Sequence, residues 1–133
     1  MARAKGDFTV LLTPQSTDEI TGASTLARLS IDKTFSGDLI GVSKGEMLSA
    51  GTPVKGSAGY VAIERVSGAL NGRTGTFVLQ HSGTMTRGSP ELTVSVVPDS
   101  GSGELTGLSG TMRIIIEGKR HSYEFDYALG MNV

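Results

Sequence analysis

Along most of the chain, apolar and polar residues alternate with a period of two, and clusters of Gly, Pro, Asn, Asp or Ser break the alternation at short intervals. No stretch keeps the i, i+3, i+4, i+7 spacing of an amphipathic helix for three turns without a glycine or a β-branched cluster intervening. Thr, Val and Ile dominate the alternating segments, as a pleated, half-buried surface prefers. The pattern predicts eight strands, at residues 7–13, 25–35, 39–49, 57–70, 73–85, 91–97, 111–117 and 119–128. Residues 14–24 read as a polar loop and 98–110 as a Gly/Ser-rich connection. Eight consecutive strands joined by short turns form an up-and-down meander. Closing it removes the exposed sheet edges that invite aggregation. The expected fold is all-β, a closed eight-stranded antiparallel up-and-down barrel, with a two-sheet β-sandwich as the alternative. A barrel of this size is either filled by its own side chains or holds one small ligand. One domain over 1–133 is expected, with 1–5 and 130–133 as flexible ends.

Two hairpins assign residues to faces. Leu70-Asn71-Gly72-Arg73 carries the Asn-Gly pair that a two-residue type I′ turn requires, because both central residues need positive φ. Counting back from Leu70 opposite Arg73 sets Val66 against Phe77, Glu64 against Leu79, Ala62 against His81 and Tyr60 against Gly83. Tyr60, Glu64, Phe77, Leu79 and His81 then share one side, with Glu64 and His81 as diagonal neighbours. A bulge at Gly68 or Gly75 would reverse that parity. The second hairpin turns near Glu117-Gly118-Lys119 and puts Met112, Ile114 and Ile116 on the side of His121, Tyr123, Phe125 and Tyr127. Arg120, Ser122, Glu124 and Asp126 face water. In the third strand Gly41, Ser43, Gly45 and Met47 share a face, but the loop at Ser36-Gly37-Asp38 leaves open which face it is.

Composition narrows the function classes. The 133 residues include 19 glycines, about twice average usage, and neither Cys nor Trp. Disulfides, thiolate metal sites and cysteine nucleophiles are thereby excluded. Twelve Lys and Arg against thirteen Asp and Glu give a formal charge of −1. Arg65, Arg73, Arg87, Arg113 and Arg120 are scattered among acidic residues. Neither nucleic acid nor an acidic membrane surface is an expected partner. The N-terminal segment is too short and polar for a signal-peptide core, and no window is long and apolar enough to span a bilayer, so a cytoplasmic location is expected.

The sharpest chemical constellation is Glu64 with His81 and Tyr60. A carboxylate on an apolar face must find a partner, shift its pKa or meet water. An imidazole one side chain away supplies such a partner, and the two together can move a proton near neutral pH. The same pair also serves as a purely structural contact. His121 heads the inward run of the last strand. A His81, His121, Glu64 set could hold a metal, but its members come from different strands and no spacing supports one, so neither metal nor cofactor is expected. Gly101-Ser102-Gly103-Glu104-Leu105-Thr106-Gly107 mimics a nucleotide fingerprint with the wrong spacing and no following helix, and reads as a long turn.

Several stretches carry a resemblance. Leu29-Ser30-Ile31-Asp32-Lys33-Thr34-Phe35, Lys44-Gly45-Glu46-Met47-Leu48-Ser49, Gly56-Ser57-Ala58-Gly59-Tyr60-Val61-Ala62-Ile63-Glu64, Phe77-Val78-Leu79-Gln80-His81-Ser82-Gly83-Thr84-Met85 and Tyr123-Glu124-Phe125 resemble a bacterial family of unknown function, over residues 6–129. That family is similar in structure to the allene oxide cyclase barrel, which plants use on a fatty-acid epoxide. The resemblance implies the barrel and transfers no catalytic motif.

The expected function is binding of a small apolar ligand in the lumen, with Tyr60, Phe77, Leu79, His121 and Tyr123 as ligand contacts. The alternatives are an isomerase or cyclase using Glu64 and His81 as catalytic residues, and a scaffold without a small ligand. With Glu64 inside, Val61, Ile63 and Val78 form an outward apolar strip that suits a homodimer.

Overall fold

The structure, a computed structural model, describes residues 1–130. Its strands are β1 (Ala2–Asp18), β2 (Thr25–Gly37), β3 (Leu39–Gly51), β4 (Ala58–Leu70), β5 (Arg73–Thr86), β6 (Ser89–Val96), β7 (Leu108–Glu117) and β8 (Arg120–Leu129), with a single 3-10 turn at Gly103–Leu105. They follow one another around a closed barrel, and β1 pairs antiparallel with β8 to complete it. The sandwich alternative is thereby set aside.

The Asn-Gly turn fixes the central pairing as the pattern predicts. Asn71 has φ 47° and Gly72 φ 84°, and Glu64 stands opposite Leu79 with Ala62 opposite His81. Ile116 likewise stands opposite His121 across the β7–β8 turn. The largest departure concerns β1, which extends beyond the predicted 7–13 in both directions. Residues 2–5, expected as a flexible end, pair with β8, and Ala4 is fully buried. Residues 14–18, expected as loop, continue along β2 beyond a register shift between Pro14 and Ser16. A bulge at that point accommodates a residue that has no N–H to donate. At the other terminus Gly130 is tied to Gly107, its N–H donating to the Gly107 carbonyl at 2.8 Å, and 131–133 lie outside the described residues.

Inward positions divide into two halves along the barrel axis. The half nearest the β2–β3 and β4–β5 turns is solid, filled by Phe35, Leu39, Val66, Leu70, Phe77, Leu79, Tyr123 and Phe125, none more than 2% exposed. Phe77 stacks on Phe125 and Phe125 on Tyr127, at 5.8 and 5.4 Å between centroids.

The connection from β6 to β7 seals this end. β6 pairs with β5 only from Leu79 onward, which leaves the 74–78 edge of β5 open. Ser100 and Ser102 satisfy that edge: Val78 N–H donates to Ser100 Oγ at 3.0 Å and Ser102 N–H to the Thr76 carbonyl at 2.8 Å. Leu105, fully buried, plugs the base. A backbone approach this close needs Gly75, where a Cβ would overlap the Ser102 carbonyl oxygen. The Gly-rich run that mimics a nucleotide fingerprint is therefore the lid of the closed end. No helix among the described residues is long and apolar enough to cross a membrane.

Candidate functional site

Where the solid half ends, a ring of polar side chains crosses the lumen. Glu64 on β4 is fully buried and accepts from three partners. Ser43 Oγ donates to Oε1 at 2.7 Å, Lys33 Nζ donates to Oε2 at 2.8 Å, and His81 Nε2 lies 2.5 Å from Oε2. Tyr60 Oη stands 3.3 Å from His81 Nδ1 on the ring's far side.

Strand pairing explains why these groups meet. Lys33 of β2 opposes Ser43 of β3, Ser43 opposes Val66 of β4, and Glu64 opposes Gly45. Gly45 makes the space: a Cβ there would overlap the Ile63 carbonyl oxygen and sit 2.6 Å from the Glu64 Cα. Among the described residues no buried side-chain nitrogen or oxygen lacks a partner.

Burial is the largest single influence on the Glu64 carboxyl and raises its pKa. The His81 hydrogen bond and the charge and hydrogen bond of Lys33 outweigh it together, and the pKa settles at about 2. Glu64 is thus a carboxylate throughout the physiological range. An ionised Oε2 in turn requires a proton on His81 Nε2. In the neutral imidazole, Nδ1 is then the acceptor and Tyr60 O–H the donor. Burial first, and the Glu64 charge second, push the Tyr60 pKa up, so the phenol keeps its proton. The result is a directed row, Tyr60 O–H to His81 to Glu64.

Above this floor the lumen opens into a cavity of about 540 Å³ whose lining includes Lys33, His81 and Tyr60. Its wall is apolar, formed by Phe8, Val10, Ile31, Met47 and Ile114 among others. Phe8 presents its ring 4.9 Å from Lys33 Nζ. Phe8 also contacts His121, at 5.3 Å between ring centroids. A second hollow of about 620 Å³, lined by Leu26, Leu48 and Val61, shares Tyr60, Gly59 and Gly83 with the lumen cavity at its rim but is not lined by Lys33, Glu64 or His81.

The structure brings Glu64, His81 and Tyr60 together and sets His121 on the lining of the same cavity. It does not bring in three expected ligand contacts. Phe77, Leu79 and Tyr123 point inward, but in the solid half, each at most 1% exposed and absent from the cavity lining. Alternation fixes the side of a sheet that a residue faces, not its depth along the barrel. Among the described residues no three His, Asp or Glu side chains converge as metal ligands.

Two members of the network, Lys33 and Ser43, lie outside the expected site residues. A signal for Lys33 is present, since Ile31-Asp32-Lys33-Thr34-Phe35 places the lysine at the parity of two core residues. The β2–β3 turn resolves the parity of Ser43 and Met47, which face the lumen with Ser43 2% exposed.

Comparison with known proteins agrees with this architecture and supplies no chemistry. A crystal structure of a protein with unknown function from Shewanella oneidensis MR-1 is similar over 99% of both chains, with 54% sequence identity and a TM-score of 0.95. No curated protein matches the chain. A family model described as "protein of unknown function (DUF3224)" matches residues 4–127, nearly the whole barrel, and the chain therefore belongs to the DUF3224 family.

Proposed function

We propose that this barrel binds a small, largely apolar molecule in its lumen, with the Lys33–Glu64–His81–Tyr60 floor orienting the polar end. One observation carries the reading. Leu12, Met85, Leu92 and Ile116 all line the cavity, yet they are 41%, 42%, 43% and 63% exposed. Apolar side chains that face an interior and remain wet gain free energy when an apolar molecule covers them. The cavity volume falls in the range of small-molecule sites, and an apolar wall with a few convergent polar groups is their usual construction.

The test uses the neutral fluorophore N-phenylnaphthylamine. We expect saturable fluorescence enhancement at one site per chain, weakened by Met47→Trp, which narrows the lumen. Absence of enhancement, or enhancement untouched by Met47→Trp, counts against the reading.

The enzyme alternative draws support from the directed row Tyr60–His81–Glu64, since a phenol, an imidazole and a fixed carboxylate form a chain that can pass a proton. In that case His81 and Tyr60 are the proton carriers and Glu64 the fixed charge that orients them, because its pKa of about 2 keeps it ionised. The likeness to the allene oxide cyclase barrel belongs to the same proposal and rests on the eight-stranded closed architecture alone.

We further propose a cytoplasmic barrel that pairs with a second copy through the strip of Val61, Ile63 and Val78. Val61 and Ile63 are each 51% exposed, and the second hollow at Leu26 and Leu48 continues the apolar surface.

A further inference from the structure

If the lumen is the binding site, its floor specifies more about the occupant than a polar end. Lys33 has three N–H donors. One is used by Glu64 Oε2, and Lys33 Nζ makes no other side-chain hydrogen bond among the described residues. Its remaining neighbours are the rings of Phe8 and Phe35, at 4.9 and 5.9 Å. The side chain is 6% exposed and lines the cavity, so the unused donors of a buried ammonium border the space a ligand would occupy. Such a group is matched by an oxygen acceptor, and most strongly by an anionic one.

Charge counting decides how an anion could be tolerated. Glu64 balances Lys33, so without a proton on His81 Nδ1 the floor has no net charge. A ligand carboxylate adds one uncompensated negative charge beside the buried Lys33, Glu64 and His81, which is costly. His81 offers the compensation. A proton taken up at Nδ1 turns that nitrogen from acceptor to donor toward Tyr60 Oη, 3.3 Å away. Tyr60 then no longer donates to the ring and turns its O–H into the lumen. One protonation thus changes the floor from neutral, with phenol lone pairs presented, to a net charge of +1 with a second donor.

The groups that act on His81 are Glu64 and Tyr60 from β4 and Lys33 from β2, with His121 of β8 and Glu91 of β6 lining the same cavity. We propose that the occupant is a small apolar carboxylic acid, held as its carboxylate by Lys33 and Tyr60, with one proton taken from solvent by His81.

Titration calorimetry of the intact protein with decanoate, decanol and decylamine, each in two buffers of different ionisation enthalpy, tests this. At about pH 7 decanoate should bind at least about tenfold more tightly than decanol, and decylamine more weakly than either. Decanoate binding should take up a proton near neutral pH and weaken as the pH rises, by no more than about tenfold per pH unit, whereas decanol binding should not. His81→Gln, which keeps an amide donor for Glu64, should remove the proton uptake. Tyr60→Phe should weaken decanoate about tenfold more than decanol. Equal affinities for acid and alcohol, or decanoate binding without proton uptake, overturn the proposal. Decanol binding with decanoate excluded overturns it while sparing the lumen as the binding site, and failure of all three probes overturns both.

Discussion

His81 Nε2 lies 2.5 Å from Glu64 Oε2, although the two residues are diagonal on the β4–β5 pair, with Glu64 opposite Leu79 and His81 opposite Ala62. The diagonal lets one carboxylate collect donors from three strands besides its own. Glu64→Gln keeps the shape and removes the charge, leaving the buried Lys33 ammonium without its counterion. A loss of about 3–5 kcal/mol is expected. That corresponds to a fall of roughly 10–20 °C in Tm for a domain of this size. Differential scanning calorimetry checks it, and Lys33→Met combined with Glu64→Leu should recover most of the loss.

The same carboxylate sets a pH dependence. Its pKa falls from the ordinary 4.5 to about 2 on folding, so its stabilisation is complete above about pH 4.5 and is lost as the pH drops toward 2. At 1.36 kcal/mol per unit the loss is about 3 kcal/mol. Asp126, held down by Arg3, and Glu104, held down by the Thr74 N–H, titrate with the same sign at the surface. Urea unfolding at several pH values, wild type minus Glu64→Gln, isolates the buried group. The difference between the two proteins should shrink across that window.

How far the sequence reaches is visible residue by residue. Asn71-Gly72 allows one economical turn, and that turn alone aligns Glu64, His81 and Tyr60 on the inner face. Period-two alternation with a strong turn is a local signal, and it carries the parity of β4, β5, β7 and β8. Depth is not local. Phe77 and His81 share a face four residues apart, yet one is in the solid half and the other borders the cavity. What separates them is the plug at Leu105 and the aromatic stack, which depend on contacts between distant strands. Lys33 escapes for a related reason. An inward lysine conflicts with the strand's own pattern until a carboxylate 31 positions away is known to meet it. The start of β1 is paired only because β8, at the opposite end of the chain, returns beside it.

The outer strip makes a separate prediction. Val61→Glu puts a charge on an outward side chain that is 51% exposed, so folding stability should change by no more than about 0.5 kcal/mol. Association between copies through that strip should be lost, because a desolvated, unpaired carboxylate opposes it. Sedimentation velocity should show a dimer for the wild type and a monomer for the variant. A wild-type monomer at high micromolar concentration rules the interface out.

The division into a solid and an open half implies that stability and binding separate by position. Tyr123 Oη accepts from the Leu39 N–H at 2.9 Å and donates to the Ser36 carbonyl at 2.8 Å, tying β8 to the β2–β3 turn. Tyr123→Phe leaves a buried N–H without its partner, at an expected cost of about 1–3 kcal/mol. Since Tyr123 does not line the cavity, binding of N-phenylnaphthylamine should persist below the lowered Tm. Met47→Trp should do the reverse, because the wall beside Met47 borders empty space rather than packed atoms. It should weaken probe binding while moving the Tm by only a few degrees. Should Tyr123→Phe remove probe binding at temperatures where the protein remains folded, the two halves do not act independently, and the lumen's shape depends on the turn that Tyr123 holds.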